Sequence, residues 1–217
     1  MVLDALADIA IYLTEIDLSF MASKEPISLD PFLKFLCSIG DGVEHLNCLS
    51  LTAFPSTPEN EAIFIDILKL IYETCSDFCV LKLSGVKINV DVAKSICYGI
   101  DDPESQIAVL DLEGCDFINP SLSILCNSIQ KSKQLDQLNL SLCTFNLHDE
   151  NTLSELISHN KSLDRLDFYH SAFSNDSSIM SHGPCFLLKA LLKNSTLEKI
   201  YLPHINVSGW NELSGNK

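Results

Sequence analysis

Nine cysteines and six histidines are the residues of this chain that could hold a metal ion or act as nucleophiles. Cys75 and Cys79 are the closest pair of cysteines, and two nearby thiolates commonly form half of a zinc site. No second cysteine pair and no histidine pair at a matching spacing accompanies them, so zinc is the less favoured interpretation and we predict no cofactor. The histidines, at positions 45, 148, 159, 170, 182 and 204, form no recognisable ligand motif.

Sequence motifs that mark common catalytic sites are missing from the chain. There is no glycine-rich phosphate loop, no GxSxG nucleophile turn and no HExxH zinc motif. We therefore predict that the protein is not an enzyme. The alternative is a cysteine and a histidine that meet only in the folded chain, which would make the protein an enzyme in its own right.

Cys143 occupies a regular position in the stretch LDQLNLSLCTF, residues 135–145. Leucines precede it at fixed spacing, and the same spacing begins again at Ile107 and at Leu163. A cysteine that recurs with the repeat, as Cys115 does, belongs to an architecture and not to an isolated site. The whole chain, residues 1–217, is predicted to be one domain of about seven such repeats, which start near positions 13, 46, 78, 107, 135, 163 and 197.

This spacing resembles that of the leucine-rich repeat family, whose pattern is LxxLxLxx(N/C)xL. The long repeats are similar to the ribonuclease-inhibitor-like class, in which every repeat contains a helix. The resemblance implies an α/β fold, a right-handed leucine-rich-repeat solenoid (horseshoe) with parallel strands on the concave face and helices on the convex face. The chain departs from the family pattern where its Asn or Cys is replaced, at Phe54, Val86, Ser171 and Ile205.

The segments between the predicted strands have the features of short amphipathic helices. Residues 119–132 offer Asn119 as a helix N-cap, Pro120 at the first helical position and apolar residues at helical spacing. Further helices are predicted over residues 30–40, 59–75 and 183–194, with a capping helix over 2–11.

Six of the nine cysteines are predicted to be buried, since an unpaired cysteine packs as a small, weakly polar side chain. The cysteines are dispersed without paired spacings, which favours free thiols in a reducing compartment over a disulfide framework. Cys115 and Cys143 are expected at the buried corner where the chain leaves a strand, and Cys37, Cys97, Cys126 and Cys185 on the inner faces of helices.

Composition and charge limit the classes of partner. With 47% hydrophobic residues in a chain of 217, the protein can bury a continuous core. Its formal net charge of -15, from 29 acidic and 14 basic residues, would repel a nucleic acid backbone or an anionic membrane surface. No basic signal-peptide region and no apolar stretch long enough to span a bilayer is present. We therefore predict a cytoplasmic protein that binds no nucleic acid and does not insert into a membrane.

Strand residues that alternate with the buried leucines should point away from the core. In the last two repeats these positions bring together basic and aromatic residues, and tyrosine and arginine are frequent anchors of protein interfaces. Acidic residues occupy the middle of the same row of outward-facing positions. The alternative is that this face is solvated and binds no partner. The predicted partner-binding residues are Arg165, Asp167, Tyr169, His170, Lys199, Tyr201 and His204, together with Asp111 and Glu113.

A shallow arc offers area but no enclosed pocket, which favours a folded protein over a small molecule as the partner. We predict a protein–protein interaction module that binds another protein through its concave face. By resemblance to ribonuclease inhibitor, it would inhibit a partner enzyme by covering its active site; an adaptor whose active region lies outside this chain is the alternative. The repeats also resemble leucine-rich-repeat effectors of intracellular bacteria such as Legionella, which implies delivery into a host cell cytosol without a signal peptide.

Overall fold

Seven strands form one parallel sheet in which each strand lies beside the next such strand along the chain. The structure is a computed structural model that describes residues 13–20, 28–39, 44–173 and 185–202. Each strand begins just after one of the predicted repeat starts, which places the repeat leucines within the sheet. The strands are β1 (Glu15–Ser19), β2 (Cys48–Thr52), β3 (Val80–Ser84), β5 (Val109–Asp111), β7 (Gln137–Asn139), β9 (Arg165–Asp167) and β11 (Lys199–Tyr201).

A helix lies between each strand of this sheet and the next, because parallel neighbours need a crossover connection. Consecutive helices pack against one another in chain order. The predicted α/β class with a parallel sheet is therefore confirmed. The helices of the described residues are α1 (Asp30–Ile39), α2 (Pro58–Thr74), α3 (Val90–Asp101), α4 (Ser121–Lys131), α5 (Leu147–His159) and α6 (Cys185–Leu191).

The sheet buries one face in the core and leaves the other partly exposed. In β3, Leu81 and Leu83 are fully buried, whereas the alternating residues Val80, Lys82 and Ser84 are half-buried on the opposite face. The strands β5, β7 and β9 repeat this alternation. We call the face that carries Val80, Lys82 and Ser84, with their register partners in the other strands, the open face.

Two short parallel pairs lie between the main strands and the helices. Phenylalanines from three successive repeats stack there, with the Phe145 ring centroid 6.2 Å from that of Phe117 and 5.2 Å from that of Phe173. This column packs beside the turn from strand to helix in these three repeats. The pairs are β4 (Lys87–Ile88) with β6 (Asp116–Phe117), and β8 (Thr144–Phe145) with β10 (Ala172–Phe173).

The prediction that Asn119 caps a helix is wrong. The helix α4 begins at Ser121, its N-cap is Pro120, and no side chain accepts a capping hydrogen bond. The Ser121 N–H donates instead to the Ile118 carbonyl at 2.8 Å, so a turn precedes the helix and delays its start. Asparagine caps do form at the corresponding place in two other repeats, where Asn89 and Asn146 accept hydrogen bonds from the first turns of α3 and α5.

The expectation that Cys37 is buried is also wrong. The side chain of Cys37 is exposed, while Phe32, Phe35 and Leu36 form the buried face of α1. Three large apolar side chains at helical spacing define the orientation of that helix and turn the cysteine outward. Cys97 and Cys126 are buried as expected. The predicted helix over 2–11, the side chain of Cys185 and Ile205 lie outside the described residues.

Asparagines join the ends of neighbouring helices. Asn160 is 1% exposed, and its Nδ2 donates to the Ile129 carbonyl at 2.8 Å while its Oδ1 accepts from the N–H groups of Ser162 and Leu163. Asn194 repeats the arrangement one helix further, where its Nδ2 donates to the Ile157 carbonyl at 2.7 Å. Each asparagine satisfies backbone groups at a helix end and in the following turn, which would otherwise be buried without partners.

Replacing Asn160 with Ala should lower the free energy of unfolding by roughly 2 to 3 kcal/mol, because three backbone groups lose their partner. Asn151→Ala on the exposed side of α5 is the matched control, and its change should stay within about 0.5 kcal/mol. Urea denaturation followed by circular dichroism measures both values. Equal losses in the two variants would contradict the role assigned to Asn160.

Candidate protein-binding surface

The recurring cysteine forms a hydrogen bond to the preceding repeat. Cys115 Sγ donates to the Leu83 carbonyl at 3.0 Å, and Cys143 Sγ donates to the Leu112 carbonyl at 3.2 Å. Ser171, which departs from the family pattern, donates from Oγ to the Leu140 carbonyl at 2.7 Å. The serine therefore performs the same task as the cysteines, and the role of Cys143 is structural.

Burial also makes the corner thiols chemically inert. Removal from water raises the pKa of the Cys115 and Cys143 thiols to about 12. Since the thiolate is the nucleophile and the metal ligand, thiols that stay protonated at neutral pH supply neither. Cys75 is buried, and burial raises the pKa of its thiol as well. Within the described residues, no group of three or more His, Cys, Asp or Glu side chains is arranged to hold a metal ion.

Most of the strand residues predicted to point away from the core do lie on the open face and reach solvent, with three exceptions. Cys48, Ser50 and Ser141 occupy positions that alternate with the buried leucines and should therefore point away from the core, but they are buried. Ser50 Oγ donates to Asp17 Oδ1 at 2.9 Å, and Ser141 Oγ donates to Asp167 Oδ1 at 2.8 Å. Longer side chains on the adjacent strands cover these small residues, which alternation along a single strand does not predict.

Three residues of the open face hold the turns at the ends of their strands. Asp111 Oδ1 accepts from the Glu113 N–H at 3.1 Å, and Asp167 Oδ1 accepts from the Tyr169 N–H at 2.8 Å. Asn139 makes the equivalent bond to the Ser141 N–H at 2.9 Å. The predicted site residues Asp111 and Asp167 are thus also turn residues, a role that the local pattern of an Asx-turn explains.

The basic and aromatic residues of the last repeats are brought together. The Arg165 guanidinium lies 5.1 Å from the centroid of the Tyr201 ring, and its Nη2 is 3.6 Å from Asp167 Oδ2. Tyr201 and Asp167 are register partners on adjacent strands, and Lys199 is the partner of Arg165. This arrangement presents a cation on an aromatic ring. His204 lies outside the described residues.

The other predicted residues lie along the same side of the sheet. Tyr169 follows β9 and is 56% exposed, and its ring centroid lies 4.0 Å from that of His170. Asp111 and Glu113 belong to β5 and its turn, two strands away from Arg165. The structure therefore groups Arg165, Asp167 and Tyr201 closely and places the acidic pair at a distance from them.

An exposed leucine was missed by the sequence reasoning as a site residue. Leu142 is 53% exposed and has a positive φ of 60°, although leucine is disfavoured in that conformation. Gly85 and Gly114 occupy the same position in earlier repeats, with φ of 64° and 65°. A glycine repeated at that position is the sequence signal that could have identified it.

Thiol labelling of the native protein should separate the cysteines by burial. Cys37 should react rapidly with an alkylating reagent at neutral pH, whereas Cys115 and Cys143 should react only after unfolding. Mass spectrometry of the digested protein measures each site. Rapid labelling of both corner cysteines in the native state would contradict their hydrogen-bonded, protonated environment.

The turn bond of Asp167 should contribute more to stability than its charge. Asp167→Ala should cost about 1 to 2 kcal/mol in the free energy of unfolding, and Asp167→Asn clearly less, because an amide oxygen can still accept the Tyr169 N–H. Asp164→Ala, on an exposed residue before the same strand, serves as the control. If Asp167→Asn were as destabilising as Asp167→Ala in urea denaturation, the ion pair with Arg165 would contribute more to stability than the turn hydrogen bond.

Comparison with known proteins gives structural likenesses to solved chains. No protein-family model and no curated protein matches the sequence. A solved structure described as the tropomodulin C-terminal domain of Caenorhabditis elegans is similar, with a TM-score of 0.40 and 14% sequence identity, over 89% of this chain and 93% of that chain. None of the helices in the described residues has the length and apolar character needed to cross a membrane.

Proposed function

We propose that this chain is a leucine-rich-repeat horseshoe that binds a protein partner through the open face of its sheet. The grouping of Arg165, Tyr201 and Asp167 carries the proposal, because an arginine over an aromatic ring is a typical anchor of protein interfaces. The order of the parallel strands supports a right-handed solenoid in which the open face is the concave one.

The size of the open face suits a protein more than a small molecule. Seven strands about 4.8 Å apart give a strip roughly 30 Å long. That length can accommodate a standard interface, which buries about 800 Å² on each partner. Rigid strands also hold the side chains of the strip in place before binding, which reduces the entropy lost on association.

A non-catalytic mode of action fits this surface. Covering the active site of a partner enzyme would make the chain an inhibitor, and recruiting a partner for a region outside this chain would make it an adaptor. The corner thiols remain protonated at neutral pH, which supports a structural role for Cys115 and Cys143. Action in the cytoplasm, or in a host cytosol as a bacterial effector, would suit a chain with free thiols.

Removing the aromatic anchors should weaken binding without unfolding the protein. Tyr201→Ala and Tyr169→Ala are each expected to cost about 2 kcal/mol or more in affinity, the size of an interface hot spot. Lys131→Ala and Lys161→Ala, exposed residues away from the open face, are the controls. The measurement is a calorimetric titration against a partner isolated by affinity capture and mass spectrometry.

The same titration decides between the two sides of the molecule. Because the chain has a net charge of -15, it should attract a partner with a basic patch. Salt screens that attraction, so the association of the two proteins should slow as salt rises. If the lysine variants lose affinity while both tyrosine variants bind normally, the partner uses another surface. Loss of a partner enzyme's activity on titration would favour the inhibitor over the adaptor.

A further inference from the structure

One residue in each of five successive repeats adopts a left-handed backbone conformation at the end of its strand. Four of these residues donate their N–H to a carbonyl in the next repeat, as Leu142 does to Tyr169 at 2.9 Å, so the conformation belongs to the fold. We call this row the rim. Its members are Ala53, Gly85, Gly114, Leu142 and His170, with φ of 52°, 64°, 65°, 60° and 56°.

Leu142 is the one member of the rim with a large apolar side chain. Its side chain is 53% exposed, so little of its apolar surface contributes to the core. The Cβ atom of a leucine is crowded in the left-handed conformation, whereas a glycine fits there without cost, as at Gly114. An exposed apolar residue kept in a disfavoured conformation points to a role in binding.

The two glycines leave bare backbone beside Leu142. A Cβ atom placed on Gly114 would lie 3.9 Å from the Leu142 Cβ and 3.8 Å from the Gly85 backbone nitrogen. Gly85 and Gly114 therefore present neighbouring backbone without side chains, which we call the glycine floor, and Leu142 lies beside it. The flexible aliphatic stem of a long side chain can lie on such a floor and pack against the leucine.

An acidic group lies next to this floor. Glu113 immediately precedes Gly114 and its carbonyl accepts the Gly85 N–H at 2.8 Å, so its side chain begins beside both glycines. Among the described residues, no lysine or arginine forms an ion pair with Glu113 within 4.0 Å. With a net charge of -15, the chain offers a negative surface that a basic partner complements.

We propose that Gly85, Gly114, Leu142 and Glu113 form a site for a lysine or arginine side chain of the protein partner. The aliphatic stem lies on the glycine floor against Leu142, and the cationic group pairs with the Glu113 carboxylate. This inference rests on the proposed function, since it names the chemistry of the bound segment. It adds an anchor at the rim, separate from the grouping of Arg165 and Tyr201.

A random peptide library displayed on phage, selected against the immobilised full chain, tests the site. The recovered peptides should contain lysine or arginine, and synthetic copies should bind at least about tenfold more weakly to Leu142→Asn and to Glu113→Gln, a loss of about 1.4 kcal/mol. Leu192→Asn, at a leucine that is 80% exposed, and Glu155→Gln on α5 are the matched controls and should bind normally.

A double-mutant cycle identifies the contact. Changing the basic residue of the peptide to Gln should remove most of the effect of Glu113→Gln, because the two groups act as a pair. Asn accepts the left-handed conformation more readily than Leu, so Leu142→Asn should melt at the same temperature as the parent protein or higher. Leu142→Gly provides a second variant with the same expectation.

Several outcomes would overturn the rim site. These outcomes are recovered peptides that lack a basic residue, peptide affinities that stay unchanged in both Leu142→Asn and Glu113→Gln, or a library that yields no binder. Peptides that depend on Arg165 and Tyr201 but not on Leu142 or Glu113 would overturn the rim site alone and leave the proposed function standing. A captured protein that binds Tyr169→Ala and Tyr201→Ala normally but needs Glu113 and Leu142 would leave the rim site standing and overturn the anchor role of the Arg165 and Tyr201 grouping.

Discussion

Three successive repeats of this chain, those that contain Leu83, Leu112 and Leu140, leave a backbone carbonyl at the place where the strand turns towards the helix, and the next repeat supplies its donor. Cys143 supplies the donor for Leu112, and Ser171 does so for Leu140. A buried carbonyl without a partner would cost free energy comparable to a lost hydrogen bond. The order of the strands, the stacked phenylalanines and the asparagines at helix ends all depend on repeats being held at this spacing.

Periodicity alone predicts the strands and most of the helices. The leucines at fixed spacing locate all seven strands of the sheet, because burial on one face requires apolar residues at alternate positions. The same reasoning fails at Asn119 and Cys37. In the first case an added turn precedes the helix, and in the second three large apolar side chains set the helix orientation. Both effects depend on neighbouring contacts that a local pattern does not contain.

The same reasoning predicts the candidate surface only in part. Alternation along a strand identifies which residues leave the core, but contacts between adjacent strands decide which of them reach solvent. Ser50 and Ser141 are covered by the side chains that they bind, Asp17 and Asp167. Alternation placed Leu142 on the outward side but did not mark it as a partner-binding residue, because its unusual feature is its backbone conformation, and only the glycines at the same position carry a sequence signal of it.

The interchange of cysteine and serine at the corner has a consequence for how such a chain can change over evolution. The donor at Cys143 and its acceptor at Leu112 have counterparts one repeat earlier, in Cys115 and Leu83. Deleting or duplicating one whole repeat would therefore bring together a donor and an acceptor of the same kind. Such a joint would tolerate recombination at repeat boundaries, so the length of the open face could vary while the chemistry that links its units stays the same.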